Sequence, residues 1–273
     1  MLPTTADAVA ASVGAAALVG LPTAGPVVVA EGYSVRVRLD PAPVLTRVVT
    51  VGRTLRGEPL PWMQREVDAC RFLRDRGAAV GAPWRDAGPH RAHGLDVTLW
   101  EWLEPDPQPL PRDAYGRLLR DLHDALLDHD AALPVLVGPL TDIARAVELT
   151  GAALLAEAAD LLVPLALSWP RRPLHGDAHT GNLLTTRDGP RWIDFEDVCV
   201  GPVEWDLASR TVDDELVAAY PGEVDRELLA DCRSLRDLQV LSCVLTDDVQ
   251  DPARRAALTA RLTERLRGRP LSS

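Results

Sequence analysis

The pattern of apolar and polar positions changes character near residue 105. Before it, short strand-like runs dominate. Val27-Val28-Val29 is a short apolar run, and Val35-Arg36-Val37-Arg38-Leu39 alternates strictly, which predicts a half-exposed strand. Asp40-Pro41-Ala42-Pro43 breaks that strand, and Val44 to Val51 predicts a third, with Arg47 inside it. Pro61 opens a segment in which Trp62, Val67, Cys70, Phe72 and Leu73 recur at roughly helical spacing, ending near Gly77. Leu95 to Leu103 reads as a further apolar, aromatic strand. The prolines of Glu104-Pro105-Asp106-Pro107-Gln108-Pro109 can continue neither sheet nor helix, so the domain junction is placed there. Residues 1–103 then form a strand-rich lobe ending in a hinge strand, and residues 104–273 a second lobe.

The second lobe reads as helical. Asp113 to Leu127 carries an apolar stripe through Tyr115, Leu118, Leu119, Leu122 and Leu126. Asp142 to Leu167 predicts one long Ala/Leu-rich helix with a possible interruption at Pro164, and helical sequence resumes through 213–268. Between them Pro173 to Ser209 is rich in Asp, Gly, His and Asn. A strand-rich lobe, a proline-marked hinge and a helical lobe make a bilobal α+β architecture. Ala8 to Leu21 is too short, too interrupted by glycine and too poor in preceding basic residues for a signal peptide or membrane span, and is expected to be an amphipathic or buried helix.

Charge adds two points. Residues 1–105 hold 11 Arg against 11 Asp or Glu, whereas residues 106–273 hold 18 Arg against 29, so the whole net charge of −11 sits in the second lobe. That balance argues against a nucleic-acid or anionic-membrane partner. All 29 basic side chains are Arg, and the chain has no lysine. Cys70, Cys199, Cys232 and Cys243 show no metal-ligand spacing and read as reduced, in a cytoplasmic protein expected to be a monomer or weak dimer.

The candidate chemistry is concentrated in two segments. Leu174 to Asn182 reads LHGDAHTGN, and Trp192 to Asp197 reads WIDFED. Asp177 and Asn182 enclose four residues, and Asp194 follows Asn182 by twelve positions within an apolar, strand-like stretch. Phosphoryl transfer needs this set: one carboxylate to take the attacking hydroxyl's proton, and an Asn oxygen with a second carboxylate to hold magnesium against the phosphates. A hairpin turned at Arg187-Asp188-Gly189 brings Asp194 back to face the other two. A polar turn and an exposed hairpin would supply the same residue types singly, but not as a set at this spacing. His179 has two open readings, a contact to the triphosphate or a loop position facing solvent.

HGD-x4-N followed by DFED, with GPVEWDLAS at Gly201 to Ser209, resembles the aminoglycoside-phosphotransferase family, whose fold is protein-kinase-like. Leu119 to His123 is similar to that family's helix after the hinge, Thr98 to Leu103 to its interlobe strand and hinge, and Arg65-Glu66-Val67 to the helix supplying an acidic partner for the phosphate-binding base. The resemblance implies Asp177 as catalytic base and Asn182 and Asp194 as Mg2+ ligands, with His175 bracing the loop and Asp206 anchoring it. It implies that Glu101 and Leu103 meet the adenine through backbone groups, with Trp100 or Trp102 beside it or simply in the core. Two departures stand out. Arg47 occupies the place of the usual strand lysine, with Glu66 as its partner, and the glycine-rich loop is reduced to Glu31-Gly32-Tyr33-Ser34, leaving Gly32 and Ser34 to approach phosphate. The implied reaction transfers the γ-phosphoryl of ATP, with GTP an open alternative, to a small hydroxylated acceptor. A cationic antibiotic of the aminoglycoside kind leads, which would make the activity one of antibiotic resistance. A metabolic kinase for choline, homoserine or a sugar derivative and a nucleotide-binding pseudokinase are the alternatives. Asp213, Asp214 and Glu215, with Asp247, Asp248 and Asp251, are candidates to line a cleft for a cation.

Overall fold

The computed structural model describes residues 3–50, 53–129, 131–209, 211–246 and 252–267. Helix α1 (Thr5–Leu18) starts at a reciprocal cap, Thr4 accepting from the Asp7 amide and Asp7 from the Thr4 amide. Strands β1 (Thr23–Ala30), β2 (Ser34–Pro41) and β3 (Val44–Val49) follow, then a four-residue helix α2 (Arg53–Arg56) and helix α3 (Leu60–Asp75). Strands β4 (His90–Ala92) and β5 (Leu95–Glu101) complete an antiparallel sheet of order β1-β2-β3-β5-β4.

Alternation divides this sheet into two faces. Val35, Val37 and Leu39 of β2 and Val44 and Val48 of β3 are buried in one core cluster with Ala8, Ala11, Ala15 and Ala16 of α1. A hydrogen bond between Thr46 and Ser12 crosses the same seam at 2.7 Å. The intervening residues, Arg36, Leu45 and Arg47 among them, point the other way, and Arg36 lies directly opposite Arg47 in the β2–β3 register.

The second lobe contains α4 (Arg112–Leu126), α5 (Val137–Thr150), α6 (Ala153–Ser168), strand β6 (Arg172–Leu174), the hairpin β7 (Leu183–Thr186) and β8 (Gly189–Trp192), strand β9 (Cys199–Gly201), and helices α7 (Val203–Leu207), α8 (Asp214–Ala218), α9 (Arg226–Thr246) and α10 (Pro252–Arg267). Its core gathers Tyr115, Leu119, Leu122 and Leu126 of α4 with Ile143, Leu155, Leu235 and Leu238, and it also takes in Cys70 and Leu73 of α3. Helix α3, early in the sequence, is thus built into the larger core.

Several elements differ from expectation for identifiable reasons. The helix expected over Asp142 to Leu167 is two helices, parted at Gly151, which adopts φ 58 at the end of α5. Pro164 does not end the second, which runs past it to Ser168. Strand β1 extends back through Gly25 and Pro26, which an edge strand accommodates because one row of its amides needs no partner. Strand β3 stops at Val49, and Val51 lies outside the described residues. The proline-rich stretch after β5 is not free of pairing: Pro105 bridges Thr186, the Asp106 amide donates to Thr185 and the Arg187 amide to Glu104. No described helix is long and apolar enough to cross a membrane.

Candidate active site

The catalytic-loop candidate hangs from Asp206 in α7. This fully buried carboxylate accepts from the amides of His175 at 3.0 Å and Gly176 at 2.9 Å, and pairs with His123 Nε2 at 3.0 Å. Burial alone would raise its pKa, but the His123 hydrogen bond and charge outweigh it and hold Asp206 below the ordinary carboxylate value. His175 is packed against Phe195, its ring centroid 4.2 Å away, and burial depresses its pKa. The Asp177 amide donates to His175 Nδ1 at 3.3 Å, which leaves Nε2 to donate to the Ile193 carbonyl at 3.0 Å and assigns a neutral ring. His175 thereby joins the loop to the segment carrying Asp194.

Gly176 has φ +88, and a Cβ there would lie 1.9 Å from the Asp197 carbonyl oxygen, so the close packing of these two loops requires glycine. Its carbonyl accepts from Trp205 Nε1 at 2.7 Å and from Arg236 Nη2 at 3.0 Å. Asp177 follows, one third exposed, its Oδ1 accepting from Arg236 Nη1 at 3.1 Å and its Oδ2 3.6 Å from His179 Nε2. Asn182, buried, donates from Nδ2 to the Asp177 carbonyl at 3.0 Å.

Asp194, just beyond the β7–β8 hairpin, adopts φ 68, a left-handed conformation that Asp tolerates better than most residues. Its Oδ2 accepts from Arg36 at 2.8 Å, and its Oδ1 lies 3.1 Å from Arg47 Nη2 without accepting a hydrogen bond. Burial opposes ionisation here, but Arg47 and Arg36 hold the Asp194 carboxyl below its ordinary value. Arg47 also pairs with Glu66 at 2.6 Å and with Glu196, and its Nε donates to Ser34 at 3.2 Å. Burial, against the pull of Arg47, pushes Glu66 up to about 8.

Two cavities meet at this cluster. A narrow one of about 250 Å³ is lined by Leu45, Trp100, Trp102, Ile193 and Gly81, with Glu101, Leu103, Glu66 and Asp194. The amides of Glu101 and Trp102 are used by Ala82 and Pro43, whereas Leu103 donates to no backbone carbonyl among the described residues. A wider cavity of about 630 Å³ contains Asp177, His179, Ser34, Tyr33, Asp142, Glu196, Asp197, Arg56 and Arg236. Arg47 borders both.

Of the residues singled out from sequence, Arg47 contacts both Glu66 and Asp194, and Glu101 and Leu103 share the narrow cavity with them. Gly32 lies in the exposed β1–β2 turn and lines neither cavity, and a Cβ at its position would meet nothing within 4 Å. Asn182 also borders neither. Of the acids expected to attract a cation, Asp213 and Asp214 line a third cavity of about 460 Å³ together with Arg233 and Asp237, separate from the one that holds Asp177. Asp213 caps α8 and pairs, like Glu215, with Arg112, and Asp214 pairs with Arg233 on the surface. Asp247, Asp248 and Asp251 lie outside the described residues.

Sequence reasoning missed Arg36, Arg56, Asp142 and Arg236. Strand alternation puts Arg36 on the face of Arg47 and gave a usable signal. Arg236 and Asp142 sit in ordinary helical sequence that carries none.

Among the described residues no three His, Cys, Asp or Glu side chains form a metal cluster. Asp194 offers hard carboxylate oxygens, and its buried Oδ1 lacks a hydrogen-bond donor. Such a site fits Mg2+ only when phosphate oxygens complete its shell.

A family model described as the phosphotransferase enzyme family matches residues 27–238. No curated protein matches the sequence. Among solved structures, choline kinase LicA from Streptococcus pneumoniae superposes with a TM-score of 0.68 at 14% identity, over 94% of this chain and 99% of that one. Amicoumacin kinase hAmiN, in complex with AMP-PNP, Ca2+ and Ami, gives 0.66 at 13% identity over 88% and 87%. The GDP complex of aminoglycoside 2'-phosphotransferase-IIIa gives 0.63 at 15% identity over 93% and 98%. These likenesses establish a protein-kinase-like fold.

Proposed function

The chain belongs to the phosphotransferase enzyme family, and from that premise we propose that it moves the γ-phosphoryl group of ATP, with Mg2+, to a hydroxyl of a small cationic molecule such as an aminoglycoside-type antibiotic. That it is a small-molecule phosphotransferase with an alcohol acceptor follows from the family; nucleotide, metal and acceptor are the proposal. The observation that carries it is the meeting of two cavities at Arg47, with Asp177 in the wider one and hinge-strand residues in the narrower.

The adenine lies in the narrow cavity between Leu45 and Ile193, where the Leu103 amide is free to donate to a ring nitrogen. Arg47, held by Glu66, presents its charge to the phosphates. Asn182 and Asp194 would hold Mg2+, which supplies positive charge to the transferring phosphoryl group. Asp177 takes the acceptor's proton on Oδ2, because Arg236 engages Oδ1. His175 and Asp206 hold that loop in register with Asp194. Gly32 and Ser34 complete the phosphate side, Ser34 beside Arg47, whose Nε donates to its hydroxyl.

A cationic acceptor is supported by the wider cavity itself, where, above the pH of about 7 at which Asp197 ionises, Asp142, Asp177, Glu196 and Asp197 outnumber Arg47, Arg56 and Arg236. ATP as donor and the four free cysteines support a cytoplasmic location.

The test is a screen of aminoglycosides, other hydroxylated antibiotics, choline, homoserine and sugars for a nucleotide-dependent mass gain of one phosphate, with ATP and GTP in separate arms because one solved neighbour is a GDP complex. Asp177→Asn is the control, expected to lower turnover about a hundredfold or more with nucleotide binding retained. Nucleotide binding with no transfer to any acceptor would instead favour a pseudokinase.

A further inference from the structure

The wider cavity contains a cation that the mechanism above does not use. Arg56 belongs to α2 in the first lobe, yet its guanidinium reaches carboxylates of the second. Nε and Nη2 each lie 3.1 Å from the two oxygens of Asp142, and Nη1 and Nη2 lie 2.8 and 3.1 Å from those of Asp197. Nη1 also donates to Glu196 at 3.0 Å. One guanidinium therefore serves two forked carboxylate pairs at once. The Asp142 and Asp197 side chains are 1% and 4% exposed, and Gln239 Nε2 adds a donor to Asp142 at 2.9 Å. Asp177 lines the same cavity, so the cation stands where an acceptor must enter.

We propose that Arg56 is a specificity-determining residue: it occupies the place of the acceptor's own cationic group, and productive binding exchanges one cation for the other. The proposal rests on the phosphotransferase reading of this cavity. Withdrawing Arg56 leaves two buried carboxylates without a counter-charge, which is strongly unfavourable unless another cation replaces it. A neutral acceptor cannot make that replacement and is rejected, whereas an ammonium or guanidinium group restores the balance. Arg56 has somewhere to go, because Gly57 and Glu58 beside it are exposed and Gly57, at φ +67, has no heavy atom within 4 Å of its missing Cβ. As a tethered group it competes at an effective concentration in the millimolar range, and weakens acceptor binding by the fraction of time it holds the place.

Guanidinium chloride at low millimolar concentration and constant ionic strength is the probe. It is titrated into wild type, Arg56→Ala and Arg56→Ala/Asp197→Asn, with Tm and calorimetry as readouts. Arg56→Ala is expected to bind guanidinium saturably and gain Tm, wild type to bind it about tenfold more weakly with a smaller gain, and the added Asp197→Asn to weaken binding by the variant about tenfold. Should Arg56→Ala fail to fold, Arg56→Gln, which keeps part of the stem and a donor, replaces it in the same titration. For a cationic acceptor found by the screen, KM should fall about tenfold in the Arg56 variant. Absent guanidinium binding in a folded variant, binding equal to wild type, or an unchanged or raised KM overturns the proposal. A wild-type enzyme that phosphorylates nothing defeats the functional reading instead, and the guanidinium titration still decides whether Arg56 holds an exchangeable place.

Discussion

Asp177 has one carboxylate oxygen to offer an acceptor, because Arg236 donates to the other and stacks 3.9 Å over Trp205. Arg236→Met keeps a long side chain over that ring and removes the donors. It is expected to lower kcat by about ten- to a hundredfold while leaving nucleotide Kd unchanged, with Arg236→Lys recovering part of the loss. Steady-state kinetics beside calorimetry makes the check, and an equal loss in nucleotide affinity would point to a general packing role. Arg47→Ala should weaken triphosphate binding far more than adenosine binding, since only the phosphates feel the charge. Equal losses for the two ligands in calorimetry would move the phosphate-binding role elsewhere. Asp197 yields a pH prediction. Burial, only partly offset by Arg56, pushes its carboxyl from 3.8 up to about 7. Between those values the folded protein keeps a proton that the unfolded chain has lost, so this group's contribution to stability falls as pH rises. Asp197→Asn is neutral throughout, and its stability relative to wild type should therefore rise across that window, by up to about 1.4 kcal/mol per pH unit. Urea unfolding near about pH 5 and about pH 8 tests the sign. A relative stability that stays flat instead would mean that Asp197 is ionised across the whole window.

The elements matter through how closely they approach. The catalytic loop and the segment after β8 touch at Gly176, where the backbone is left-handed and a side chain would strike the Asp197 carbonyl. Gly176→Ala combines that conformational cost with a steric one and should destabilise the fold by more than about 2 kcal/mol, with activity lost in parallel. A variant as stable as wild type by denaturant unfolding would show that the two loops are free to separate. Helix α9 contributes differently, since over its 21 residues it buries Leu229, Leu235, Leu238 and Leu241 yet also carries Arg236 and Gln239 to the cavity. Its apolar residues announce a core helix; the polar pair becomes meaningful only when Asp177 and Asp142 are seen beside it.

At the scale of the molecule, the −11 charge is unevenly used. On the surface, Asp213, Asp214 and Glu215 are paired with arginine, so the attraction for a cation comes from the cavity and the long-range field rather than from those runs. The kcat/KM for a cationic acceptor is still expected to fall as salt rises, because screening shortens to a Debye length of about 8 Å at physiological ionic strength. A flat salt profile measured with the acceptor from the screen would leave charge steering without a role and favour a neutral metabolic acceptor.

The sequence by itself determined the α+β order of elements and the spacing of Asp177, Asn182 and Asp194, because period and spacing are properties of a single stretch of chain. It also made Arg47 and Glu66 a legible pair, through the resemblance that aligned a strand with a helix. It did not determine where α5 ends, since a glycine in a left-handed turn outweighed an unbroken Ala/Leu pattern. Nor did it place Arg36, Arg56 and Arg236, and for these only the tertiary structure decided. Arg56 meets Asp142 across 86 residues and Asp197 across 141, and Arg236 meets Asp177 across 59. Ion pairs at such separations leave no local trace, because each partner satisfies its own helix or loop equally well until distant segments of the chain pack together.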